Sequence, residues 1–234
     1  MVGQDMGADC TDIYVNVRTD NVAMGRTACE YLGNELGGKG VVLNIAGDLS
    51  GQNGRDRKNG FDDCMKEKFP DIDLITQPTD WSGAAAADKL QAALVQNPDL
   101  GAIFLASDTN FLSAVSQVLK SKQKWVKKGE EGHILIAGID GGGPIGLQMI
   151  RDGYVDATVS QPLLDFSKFS LEFLQKAIKG DKLAEGADGN GGEIVIQDGI
   201  TQYYLPSPLV TKDNVDDPAL WANQQAAKDA FGAQ

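Results

Sequence analysis

A chain of 234 residues can bury a full core, as one large domain or as one domain plus a fragment. Its 42% hydrophobic and 23% charged content is that of an ordinary globular protein, and no window is long and apolar enough to span a membrane. A formal net charge of −12 excludes the basic face that nucleic acid as a partner would need.

Strand and helix signals alternate regularly. Residues 13–17 read as a strand, and Asp20-Asn21 can cap a helix to about Leu36, ended by Gly37-Gly38. Strand 41–46 runs into a polar loop, a helix from about 53 to 69 stops at Pro70, and strand 72–77 leads to an alanine-rich helix over 82–96. Strand 102–106, helix 110–121, strand 134–139, helix 143–151 and strand 154–160 extend the series. The implied fold class is α/β, a doubly wound, mostly parallel sheet covered by helices on both faces. After Gln161 a helix over 163–179 carries Phe166, Phe169, Phe173, Leu174 and Ile178 at helical spacing. A glycine-rich loop, strands at 193–197 and 200–205, and a terminal helix at 218–231 complete the chain.

The strand ends carry the chemistry. In an open parallel sheet all carboxyl ends face one edge, so polar residues there converge on one crevice. Arg57 lies in the first turns of the helix after strand 41–46, where a guanidinium fork suits adjacent ligand oxygens. Its plainer reading is an ion pair with Asp56 or Asp62. Trp81 follows strand 72–77 and can lie against the apolar face of a ring, or simply pack. Asp140 ends the most hydrophobic strand; it can accept two hydroxyl hydrogen bonds, and it can also cap the helix starting near Pro144. Ser107-Asp108 and Gln161 end the remaining strands. The set holds donors, acceptors and one aromatic but no activated nucleophile or acid–base pair, which suits an uncharged, polyhydroxylated ligand. Gly141-Gly142-Gly143 makes only a malformed dinucleotide loop, and no Walker lysine is present.

His133 is the only histidine, so triad chemistry and histidine-based metal binding are poor readings, and no cofactor or metal is expected. Cys10, Cys29 and Cys64 match no zinc spacing and leave one unpaired in any disulfide scheme; a bridge from Cys10 to one of the others is one scheme. The lysines at 120, 122, 124, 127 and 128 read as a solvated turn. Met1 to Asp5 has no basic segment and no apolar core, so no signal peptide is visible in the chain as given.

Five blocks agree in order and spacing with one family: Thr19-Asp20-Asn21 through Arg26, Gly47 through Phe61, Asn97 through Phe104, Ala137 through Gly141, and Ile150 through Gln161. Over essentially its whole length the chain resembles the type I periplasmic sugar-binding proteins of ABC transporters, the ribose- and galactose-binding group. The resemblance implies a non-catalytic solute-binding protein that closes on a small carbohydrate or polyol between two lobes and presents it to a membrane permease in the periplasm. Position by position, Arg57 looks like the family's sugar-binding arginine, Trp81 like its stacking aromatic, Asp140 like its hydroxyl-binding aspartate and Gln161 like the polar residue at an inter-lobe crossing. Ser107 stands where the family usually has Asn, and Asp5 falls near a contact from the first lobe.

The resemblance also implies boundaries. Residues 1–14 would be a remnant of the amino-terminal lobe, 15–161 the carboxy-terminal sugar-binding lobe, 162–192 a helix of the amino-terminal lobe, 193–211 strands returning to the carboxy-terminal lobe, and 212–234 a tail. Most of the first lobe would lie upstream of Met1. The strands that cover helix 163–179 would then be missing, leaving its apolar stripe to fold back, dock a separate lobe or self-associate. The alternative function is the effector-sensing domain of a LacI-type transcriptional repressor, which shares the fold.

Overall fold

The structure is a computed structural model that describes residues 1–6, 12–189 and 191–231. Strands and helices alternate in chain order: β1 (Val2–Gln4), β2 (Val15–Arg18), α1 (Asn21–Glu35), β3 (Gly40–Ala46), α2 (Gln52–Lys68), β4 (Ile72–Pro78), α3 (Gly83–Gln96), β5 (Leu100–Leu105) and α4 (Asp108–Ser121). They continue with β6 (Leu135–Asp140), α5 (Gly143–Arg151), β7 (Ala157–Ser160), α6 (Leu163–Lys179), β8 (Gly186–Ala187), β9 (Glu193–Gln197), β10 (Ile200–Tyr204), β11 (Leu209–Val210) and α7 (Gln225–Phe231). A single 3₁₀ turn over Trp221–Asn223 precedes α7, where one longer helix was expected. The family's α/β architecture is present.

The chain divides into two compact units, one of Met1–Asp20 with Gln161–Pro208 and one of Asn21–Ser160 with Leu209–Gln234. The expected boundaries at 15–161 and 193–211 are therefore corrected. Strand pairing supplies the reason. β2 pairs in parallel with β1 and with β10, β10 pairs antiparallel with β9, and β9 with β8, so all five share one sheet in the order β1-β2-β10-β9-β8.

That sheet also covers α6. Phe166, Phe169 and Phe173 are buried with Val15, Val17, Ile194, Tyr203 and Leu205, and the Tyr203 ring sits 5.1 Å from Phe169 and 4.7 Å from Phe173. Strands of this chain therefore cover these three rings, where cover from upstream of Met1 was expected. The stripe is also narrower than its spacing suggested, for Leu174 is 43% and Ile178 79% exposed, beside Leu171 at 62%. Self-association through 163–179 would thus rest on these three residues and Leu164, which is 40% exposed.

The larger unit holds a six-stranded sheet in the order β11-β7-β6-β5-β3-β4, parallel except for the β11–β7 pair. Val41 to Ala46 of β3 are buried along their length, as a strand covered on both faces requires. α1 and α2 pack together, and α3, α4 and α5 form a second group. Two glycines permit the α1–α2 approach: a Cβ on Gly25 would strike the Arg57 carbonyl, and one on Gly60 the Val22 carbonyl. Cys29 and Cys64 join the same two helices by a disulfide with Cα atoms 6.2 Å apart. This overturns any bridge from Cys10 to either of them; Cys10 itself lies outside the described residues. Among the described residues no helix is long and apolar enough to cross a membrane.

Candidate functional site

Three of the expected side chains meet at the carboxyl edge of the six-stranded sheet. Arg57, in the second turn of α2, is 4% exposed. Its Nε donates to Asn21 Oδ1 at 2.7 Å, and its Nη1 to the Ala106 carbonyl at 2.7 Å and Asp140 Oδ1 at 2.9 Å. The ion pair expected with Asp56 or Asp62 is replaced by this one with Asp140, while Asp62 pairs with Lys58 at 3.0 Å. These three bonds of Arg57 use Nε and Nη1 of its guanidinium.

Asp140 ends β6 with φ +113°, and Gly141, Gly142 and Gly143 also have positive φ. A Cβ on Gly141 would press on Ser160 Oγ and Trp221 Nε1, so only glycine lets the chain turn here. The Asp140 carbonyl accepts from Trp221 Nε1 at 2.9 Å. Its carboxylate Oδ2 accepts from Ser107 Oγ and from Thr109 Oγ1 at 2.8 Å. Ser107 is 2% exposed and doubly engaged, because its oxygen also accepts from the Asn110 N–H as the N-cap of α4.

Capping of α5 differs from expectation. The N-cap residue, Gly142, has no side chain to serve; Asp108, the first residue of α4, accepts the Gly142 N–H at 2.9 Å. Asp108 also accepts from Thr158 Oγ1, which in turn accepts the Gly141 N–H at 3.1 Å. Burial first, and then the neighbouring Asp140 carboxylate, push the Asp108 carboxyl well above the usual carboxylate range.

Trp81 has φ +67° and is partly buried. Its indole lies over Gly47, where a Cβ would collide with it, stacks near Phe111 at 6.2 Å, and has the Arg57 guanidinium carbon 5.8 Å from its centroid. The aromatic surface is therefore held beside the ionic pair. A cavity of about 390 Å³ opens between α4 and α5, with Asp108, Thr109, Leu112, Pro144, Met149 and Trp221 in its wall.

Gln161 and Asp5 belong to the smaller unit. Gln161 is 4% exposed and its Oε1 accepts from Thr19 Oγ1 at 3.0 Å. Asp5 has φ +61°, and its N–H bonds to the Val17 carbonyl at 3.0 Å. Thr109, Asn21 and Trp221 were not singled out as site residues from sequence, although Ser107-Asp108-Thr109 at a helix start is a local signal for the hydroxyls. No group of three or more His, Cys, Asp or Glu able to hold a metal exists among the described residues.

A family model described as a periplasmic binding protein domain matches residues 4–182. This chain belongs to that family. It is 32% identical over 169 residues to the D-allose-binding periplasmic protein of Escherichia coli K12, a match covering 71% of this chain and 51% of the relative. It is 26% identical over 179 residues to the ribose import binding protein of Salmonella typhimurium, covering 76% of this chain and 57% of the relative. The chain thus spans about half the length of the curated relatives it matches. A solved ABC-transporter solute-binding protein from Actinobacillus succinogenes 130z, with bound D-allose, superposes with a TM-score of 0.76 at 21% identity. That alignment covers 92% of this chain and 70% of the solved one, and at such identity it speaks for the fold alone.

Proposed function

We propose that this chain binds a small uncharged sugar or polyol as the solute-binding component of an ABC importer, without catalysing a covalent step. The observation that carries the reading is the Arg57–Asp140 pair at a parallel sheet's carboxyl edge, with the Trp81 indole beside it. A ring hydroxyl both donates and accepts, so a carboxylate next to a guanidinium can serve its two sides at once. The indole face offers the C–H side of the same ring an apolar surface. Ser107 supports this arrangement by holding Asp140 rather than by facing the ligand. Gln161 and Asp5 remain proposed contacts from the smaller unit.

Relatives named for binding D-allose and ribose support the solute-binding reading over the effector-sensing domain of a LacI-type repressor. They also support a membrane permease as partner and a periplasmic location. The Cys29–Cys64 bridge agrees with an oxidising compartment. Isothermal calorimetry against D-allose, D-ribose, D-arabinose, xylitol, amino acids and nucleotides tests the reading. A sugar or polyol is expected to bind most tightly, and an amino acid or nucleotide in that position would end the proposal.

A further inference from the structure

We propose that Thr109 is a specificity-determining residue of this site, selecting a ligand hydroxyl by accepting its proton. The inference rests on the sugar or polyol reading above and deepens it. Two hydroxyls converge on Oδ2 of Asp140, and they are not equivalent. Ser107 is buried, donates to the carboxylate, accepts from the Asn110 N–H and has its Oγ 3.2 Å from Thr109 Oγ1. Thr109 is exposed, the second residue of α4, with its Oγ1 at 2.8 Å from the same oxygen.

A carboxylate only accepts, so the single Thr109 proton is committed to Asp140 and the hydroxyl offers lone pairs to anything else that approaches. The negative charge behind it strengthens the oxygen as an acceptor. A ligand atom facing Thr109 must therefore carry a proton to give. A hydroxyl meets that demand; a ring ether oxygen, a carbonyl or a deoxy carbon does not. Arg57 imposes the opposite demand, because a guanidinium only donates. Side by side, the two groups read donor and acceptor at separate ligand positions, which a single carboxylate could not do. Thr109 also stands in the wall of the cavity between α4 and α5.

The test compares wild type with Thr109→Ser, which keeps the hydroxyl, and Thr109→Val, which keeps the shape and removes it. Each is titrated calorimetrically with D-allose, D-ribose, D-arabinose and xylitol, then with the monodeoxy analogues of the tightest binder. Thr109→Val is expected to weaken the parent ligand about 5- to 30-fold, with Thr109→Ser staying within about threefold of wild type. One monodeoxy analogue should bind wild type poorly and Thr109→Val no worse, so that selectivity at that single position collapses while the other positions keep theirs. A merely structural residue would instead weaken every analogue alike. Parent affinity unchanged in Thr109→Val, or uniform weakening across the analogues, overturns the inference and leaves the functional reading intact. Failure of all four ligands to bind wild type overturns both.

Discussion

Strand β6 has a buried carboxylate at each end, and the two are partnered in opposite ways. At its carboxyl end Asp140 faces Arg57, Ser107 and Thr109, in a strained backbone conformation and with 12% of its side chain exposed. At its amino end Asp156 accepts from the Ile136 N–H at 2.8 Å and meets His133 Nε2 at 3.0 Å, with Lys128 Nζ at 3.7 Å and no side-chain exposure. Asp156 is sealed; Asp140 keeps one exposed donor and a backbone that only three successive glycines allow to turn away. Both are well-satisfied carboxylates, so satisfaction alone does not mark a binding site. What separates them is whether a partner can give way to a ligand without breaking the fold.

The largest effect should fall on the sealed end. Asp156→Ala strands the His133 and Ile136 N–H groups in the interior, and removal of one buried partner costs about 3–5 kcal/mol of stability. Urea unfolding followed by circular dichroism measures it, and a loss no larger than that of Asp140→Ala would break the comparison. At the open end the loss should appear in binding instead. Asp140→Ala is expected to cost about 1–3 kcal/mol of ligand affinity through stranded polar partners. Trp81→Ala should cost less, at roughly 0.5–1.5 kcal/mol beyond the buried area. Calorimetry ranks the two; binding indifferent to both Asp140→Ala and Asp140→Asn would misplace the site.

Acid–base behaviour sharpens the contrast further. Burial of the His133 imidazole opposes its charge, but hydrogen bonds to Asp156 and to the Val126 carbonyl, with the Asp156 charge, outweigh it and raise the pKa. Folding thus favours the protonated ring. That contribution is complete below the unfolded value near 6.5 and disappears as pH rises through the folded one. Asp108, also raised, acts with the same sign: its contribution is complete below the ordinary carboxyl range and fades as pH climbs to its folded value. The thermal midpoint should therefore fall as pH rises from about 6 to about 8, less so in His133→Gln and less again with Asp108→Asn. A midpoint that rises over that range in wild type would contradict the assignment.

How far this was legible in the sequence depends on the range of the interaction. The meeting of Arg57, Trp81 and Asp140 was legible because each stands at a strand end or the helix start after it, and parallel topology brings such positions to one edge. The element boundaries between Asn21 and Ser160 follow from local periodicity and punctuation in the same way. The missed features depend on tertiary contact. Trp221 reaches Asp140 across a sequence separation of 81 residues, and Asp108 caps a helix whose N-cap residue, Gly142, lies 34 residues later. β2 was assigned to the wrong sheet because a short apolar strand carries no label for its neighbour, and β1, only three residues long, gives no period to read. The pairing of Cys29 with Cys64 was likewise invisible, since both sit mid-helix and only the packing of α1 on α2 brings them together.

That clasp has a practical bearing. Cys29 lies about two helical turns beyond Asn21, and Cys64 about two turns beyond Arg57, so the bridge fastens α1 to α2 at equal depth below the Asn21–Arg57 hydrogen bond. Two attachments fix the sliding of one rod along another where a single one leaves it free. Recombinant material recovered from a reducing cytoplasm lacks the lower attachment, and its guanidinium is then aligned by hydrogen bonds alone. Redox history during purification accordingly becomes a variable of every affinity measured on this chain, to be fixed by thiol titration before the first sugar is added.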